Sequence, residues 1–267
     1  MPSMSPGDEV TNILFRGAKW GKPRTAIKGV TFKNISISNM ELFQITFTNC
    51  TFEDCIFQGS RFHEVEFHKC RLVNCNMRKT KFEGCYLDPA TISLDSRYRV
   101  DASNVGVTMY QALLSNYAIE RQDAFYAHAD IEFRRWKRYQ LSYEIRKKNV
   151  DFLPGQWARV KSSTYDILAG YGYRPVRFSI VTVIAFLAIS AFNYCAIGDN
   201  LLINGQHPPS FSMVDSIYYS FSVLTVLGFS TVVPDGGFAK LLTVFEALAA
   251  IGWLSIFTSI LVKRFLR

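Results

Sequence analysis

Histidine is scarce in this sequence, four residues in 267, and none of His63, His68, His128 and His207 has a partner at metal-ligand spacing. No Ser-His-acid arrangement, no metal cluster and no phosphate loop is visible. The usual signatures of hydrolytic, metal-dependent and nucleotide-dependent enzymes are therefore missing. The amino-terminal segment carries scattered charges but no continuous apolar core of the kind a signal peptide needs, so the front of the chain is expected to stay in the cytosol. Nothing before Phe178 approaches the run of about 20 apolar residues that crosses a bilayer. From Asp199 to Ala239 there is not a single Lys or Arg.

What is present lies at the two ends of that basic-free interval. Phe178 to Ile197 and Leu241 to Val262 are long enough and apolar enough to span a membrane. Eleven Lys or Arg fall between Arg134 and Arg177, and Lys263, Arg264 and Arg267 follow the second run, whereas the interval between the runs holds the acidic Asp199, Asp215 and Asp235. This asymmetry predicts a multi-pass protein of the plasma (inner) membrane with both termini cytoplasmic and the connecting loop outside. The formal charge of +8 is thus explained by flanking a membrane, and no nucleic-acid partner is expected.

Ahead of the membrane runs, every fifth residue is large and apolar: Phe32, Ile37, Leu42, Phe47, Phe52, Phe57, Phe62, Phe67, Leu72, Met77, Phe82, Leu87 and Ile92. Two residues before each comes a small or medium residue, from Val30 and Ile35 through Cys50, Cys55, Ser60, Cys70, Cys75, Thr80 and Cys85 to Ala90. A period of five fits neither a helix nor a strand, so each unit must turn a corner. The pattern resembles the pentapeptide-repeat family, which implies a right-handed, four-sided β-helix over 28–95 behind an amino-terminal extension, 1–27. Five of the six cysteines occupy the small inward position, where a thiol serves as a compact hydrophobe, and no metal is expected there. Between Lys28 and Asp95 eight basic residues balance eight acidic ones, which disfavours mimicry of DNA and leaves a spacer, cap or docking platform for an unidentified cytosolic partner.

Beyond Ile92 the period changes. Val105 to Asn116 and Ala124 to Val150 read as two helices of a connector, 96–150, broken near Arg121 with Asp123 as N-cap. Phe125, Ala129, Phe133, Trp136, Tyr139 and Tyr143 form one face that must pack on the shorter helix, on the repeat or on another subunit. A further segment, 151–175, mixes Trp157, Val160, Ile167 and Leu168 with Arg159 and Lys161 and suits a helix lying in the cytoplasmic interface, against membrane lipid.

Between the spans, Phe211 to Val233 is apolar but interrupted by Gly228-Phe229-Ser230-Thr231 and closed by Pro234, too broken for a third crossing. Broken backbone at membrane depth is tolerated only when it lines a wet cavity or is buried in protein, which is the condition of a pore loop. Residues Asp215 to Pro234 align without gaps on the pore helix, filter and following proline of two-transmembrane potassium channels, so 176–267 resembles an all-α pore domain of that family. The resemblance places the filter on Thr225, Val226, Leu227, Gly228, Phe229, Ser230 and Thr231. Val226 stands where the family has Thr, Ser230 where it has its second Gly, and Thr231 where it has Asp. Glu246 in the second span should face protein or water, either acting on the permeating ions or, as the favoured reading, bracing the pore helix from behind by hydrogen bonds to Ser or Thr hydroxyls. The family's glycine hinge falls on Ala250, with Gly252 half a turn beyond.

The resemblance implies a homotetramer, because one loop cannot enclose a pore. It points to a cation channel that is weakly selective among monovalent cations, with K+ or Na+ as permeant ions, no cofactor and no enzymatic activity. Two readings compete with it: a membrane-anchored repeat scaffold whose loop does not conduct, and a potassium-selective channel despite the altered filter.

Overall fold

The computed structural model describes residues 5–15, 19–21, 24–207, 210–225 and 231–265, with backbone alone for 263–265. The chain divides into two compact units, Met1–Ser163 and Thr164–Arg267.

The first unit opens with a parallel β-solenoid. Thr31 lies opposite Thr51 and Thr51 opposite Arg71, while Glu41, Arg61 and Lys81 form a second column, so one coil takes four pentapeptides. The apolar residue of each unit fills the interior: Phe32, Phe47, Phe52 and Phe62 have no exposed surface. Phe32 stacks on Phe52 and Phe47 on Phe67, with ring centroids 4.9 and 5.2 Å apart.

The corners are made by left-handed residues at the same period. Asn34, Asn39, Gln44, Asn49 and Asp54 have φ of 51 to 55°, and Gly59, Glu64, Lys69, Asn74, Lys79 and Gly84 continue the series with φ of 52 to 73°. Asparagine and glycine tolerate this conformation best. The next position in the series is Pro89, whose ring fixes φ near −65°. There the corner gives way to a single 3-10 turn, Pro89–Thr91, capped by the Asp88 carboxylate, and the ladder ends on the short strand Ile92–Ser93.

The solenoid starts earlier than its unbroken pentads. Glu9 pairs with Thr31 and Lys19 with Glu41, 22 residues ahead, whereas Thr25 pairs with Ile45, 20 ahead. Two extra residues between Trp20 and Thr25 thus shift the first coil out of the fivefold register, and Trp20 occupies the interior above Leu42.

The inward Cys, Ser and Thr share one hydrogen bond. Cys55 donates to the Phe32 carbonyl at 3.3 Å, Cys75 to Phe52 at 3.5 Å, Cys85 to Phe62 at 3.3 Å and Thr80 to Phe57 at 2.9 Å, each reaching 23 residues back. A small side chain with one donor satisfies that column. Burial pushes the Cys75 thiol well up and the Cys85 thiol to about 11, so both remain protonated and unreactive at neutral pH. On the outside His63 stacks on Phe43 and His68 on Tyr86, with centroids 5.2 and 4.9 Å apart.

The last coil is closed by helices. After the short α1 (Ser96–Asp101), α2 (Ser103–Ile119) and α3 (Asp123–Arg146) form a hairpin. The break between them falls at the expected place, but Gln122 is the N-cap of α3 and Asp123 sits in its first turn, where a carboxylate favours the positive end of the helix. Gly106 of α2 admits the α3 indole, for a Cβ there would lie 2.1 Å from the Trp136 ring. The aromatic face of α3 packs on α2 and the solenoid end: Trp136 is buried, and Phe125 lies against Tyr86 and Tyr117.

Asn116 completes the final rung, its amide donating to the Cys85 carbonyl at 2.8 Å and its oxygen accepting from the Cys85 N–H at 2.9 Å. Beside it the Tyr117 hydroxyl donates to the Leu87 carbonyl at 2.5 Å. Asn116→Ala would leave a buried backbone donor unpaired, a loss of about 3 kcal/mol once the weakened acceptor is included. The Cys85 amide is then expected to exchange about a hundredfold faster in hydrogen-exchange measurements, while the Phe52 amide stays protected.

α4 (Phe152–Ala169) leaves Leu153, Trp157, Val160 and Ile167 exposed along one side. The boundary between the units falls within α4, and the second unit goes on with α5 (Pro175–Ile197), α6 (Met213–Leu224) and α7 (Gly237–Phe265). Among the described residues, α5 and α7 are the two helices long and apolar enough to cross a membrane, and most of their surface is exposed in the single chain. Trp253 ties them together, stacking on Phe178 at 4.8 Å and donating from Nε1 to the Thr182 hydroxyl at 3.0 Å.

Candidate pore loop

Among the described residues, the segment between α5 and α7 holds the helix α6 and two short strands, one on either side of it. α6 has 12 residues, about 18 Å of helix, too short to cross a bilayer. It is started by a capping box: the Ser212 hydroxyl accepts from the Asp215 N–H at 3.2 Å, and the Asp215 carboxylate accepts from the Ser212 N–H at 3.1 Å. It ends at Thr225, whose hydroxyl donates to the Phe221 carbonyl at 2.6 Å.

One face of α6 is polar and buried. The Ser216 hydroxyl donates to the Ser190 carbonyl of α5 at 2.6 Å, and Tyr219 shares a short hydrogen bond with Thr243 of α7. Behind the middle of α6 lies a chain of three side chains from three helices. Asn193 of α5 donates from Nδ2 to the Ser220 hydroxyl at 3.0 Å and to the Glu246 carboxylate of α7 at 3.2 Å. Asn193 and Ser220 are fully buried and Glu246 nearly so. Glu246 therefore reaches the pore helix through an amide rather than directly through a hydroxyl. Sequence reasoning passed over Asn193, although a lone amide inside an apolar run was the visible signal of a polar contact.

After the loop the chain returns as a strand. Leu201–Ile203 pairs antiparallel with Val232–Pro234. The Asn204 N–H donates to the Thr231 carbonyl at 3.1 Å and the Asp235 N–H to the Asn200 carbonyl at 2.7 Å. One side of this ribbon is buried: Leu201 and Val232 join Ile197, Tyr219 and Ala239 in a small core, with Ile203, Phe211, Val223 and Leu242 at its edge.

Of the residues expected to form the site, Thr225 and Thr231 are placed at the two ends of the loop, whereas Val226, Leu227, Gly228, Phe229 and Ser230 lie outside the described residues. Ala250 is buried and shares an apolar cleft with Phe186, Phe221, Thr225 and Trp253. Gly252 is exposed, with no atom near where a Cβ would stand, and α7 runs through both positions as one helix.

Among solved structures, a trypsin-treated form of QnrB1, a plasmid-mediated fluoroquinolone resistance protein, aligns at 16% identity over 28% of this chain and 54% of that one. Its TM-score is 0.11, and this chain spans only about half of that relative. No curated protein matches. Residues 27–71 match the family model of pentapeptide repeats, in nine copies, and residues 178–267 match the family model described as ion channel. The chain is thus a pentapeptide-repeat segment fused to a two-transmembrane ion-channel domain.

Proposed function

We propose that four copies assemble into a cation-conducting pore that discriminates weakly between K+ and Na+, with the solenoid on the cytosolic side as a gating or docking unit. The observation that carries this reading is the short helix α6 set between α5 and α7. A helix too short to cross is held by buried hydroxyls between two membrane-length helices, and its last turn leads straight into the filter segment. The carbonyl end of a helix carries about half a negative charge, so α6 stabilises a cation where its axis emerges. The acidic Asp199, Asp215 and Asp235, with no Lys or Arg between Asp199 and Ala239, favour cations at the outer mouth. The exposed apolar stripe of α4, close in sequence to Arg174 and Arg177, supports its place in the inner leaflet interface.

Flux from liposomes holding the purified protein tests the reading. Rubidium and sodium are expected to exchange and chloride to be retained. A protein that inserts and oligomerises but passes no ion would be a repeat scaffold anchored in the membrane.

A further inference from the structure

We infer that the ribbon Leu201–Ile203/Val232–Pro234 is the brace that positions the outer end of the pore loop, with Leu201, Asn204 and Val232 as its positioning residues. The inference rests on the channel reading of that loop. A ring of carbonyls selects an ion only if the peptide planes carrying it cannot rotate freely. Thr231, at the outer end of the filter segment, offers no carboxylate to tie it down.

The backbone supplies the restraint instead. The Thr231 carbonyl is fixed by the Asn204 N–H, and one residue later the Val232 side chain is sealed between Leu201 and Tyr219. Pro234 pairs with Leu201 at a position of the ladder that needs no N–H, so the proline closes the ribbon without losing a hydrogen bond. Asn204, with φ of 53°, and Gly205, with φ of 82°, then turn the chain away, a conformation these two residue types accept at small cost. Tyr219 belongs to the pore helix, so the same small core couples both ends of the loop.

Two measurements on the full-length reconstituted protein decide the matter. Leu202 lies directly opposite Val233, in a pair whose Cα atoms stand about 5.5 Å apart in an antiparallel ladder, within disulfide range. In a Cys195→Ser background, Leu202→Cys/Val233→Cys is expected to oxidise within one subunit and to keep conducting with unchanged ion preference. Val232→Ala loosens the brace and is expected to raise the permeability of methylammonium relative to potassium at least threefold. Leu201→Val, a milder truncation, should move it in the same direction by less, and the exposed Val233→Ala should leave it unchanged. Failure of the disulfide to form, or conduction in Val232→Ala and Leu201→Val with the wild-type methylammonium ratio, overturns the inference while leaving the channel reading intact. A wild type that passes no ion overturns both.

Discussion

With sodium on one side of a bilayer and potassium on the other at equal concentration, the reconstituted protein is expected to reverse within about 30 mV of zero. Each tenfold of permeability ratio moves that potential by about 59 mV. A filter with a thousandfold preference for potassium would therefore sit near 180 mV, yet that preference corresponds to only about 4 kcal/mol, at about 1.4 kcal/mol per tenfold. Three substitutions relative to the resembling family bear on those few kilocalories. Val226 removes a ring of hydroxyl oxygens at the inner end of the filter. Ser230 replaces a glycine at a position where the family's backbone is left-handed, which costs a non-glycine residue about 1 to 2 kcal/mol. Thr231 takes the place of an acidic brace. Losing one or two oriented rings is enough to cancel most of the preference. The double substitution Val226→Thr/Ser230→Gly is then expected to shift the reversal potential toward the potassium value by about 60 mV or more. A wild type that already reverses near the potassium value would show the altered filter to be selective as it stands, and, under a separate gradient of one salt of about tenfold, a reversal near the chloride value of about 59 mV of one sign rather than the cation value of the other would end the cation assignment.

The solenoid was legible because its interior repeats in the plainest way, one large residue in five from Phe32 to Ile92. The left-handed corners lay at the same period, in Asn34, Asn39, Asn49, Gly59, Asn74 and Gly84, and mark the chain as strongly as the interior does. The first coil was hidden by two residues: Val10 and Trp20 lie opposite Phe32 and Leu42 but out of step with them in sequence. The two spans and the re-entrant helix could be read from hydropathy and from the interruption at Gly228. The outer ribbon could not, because Leu201–Ile203 and Val232–Pro234 are three-residue strands about 30 residues apart in sequence. Pairing at that separation depends on the helices that bring the two segments together. Asn116, likewise, read as a polar residue near a helix end until the open last rung of the solenoid gave its amide a donor and an acceptor to meet.

The chain of Asn193, Ser220 and Glu246 makes the second large prediction. A carboxylate in a membrane-spanning helix is costly, and among the described residues no Lys, Arg or His stands within ion-pair distance of Glu246. Its hydrogen-bond partner is the Asn193 amide, whose other N–H goes to Ser220. Asn193→Leu therefore removes the partner and leaves the carboxyl buried and alone. The expected cost is about 2 to 3 kcal/mol, the range for leaving a buried polar group without its hydrogen-bond partner. It should appear as oligomers that dissociate at markedly lower temperature and as weakened flux. Glu246→Leu removes the carboxyl together with the need to solvate it and leaves behind only an amide, so its cost should be smaller, about 1 to 2 kcal/mol. The double variant Asn193→Leu/Glu246→Leu replaces the whole contact by apolar surface and is expected to be more stable than Asn193→Leu alone, because apolar replacement of a buried polar pair is often neutral. That reversal distinguishes a brace from an ion-binding carboxylate. If Glu246 acted on the permeating ions, the double variant would recover stability yet remain poorly conducting, whereas a brace whose work is to hold α6 against α5 and α7 returns conduction with stability. Additive losses in the double variant would show that Asn193 and Glu246 do not act through each other.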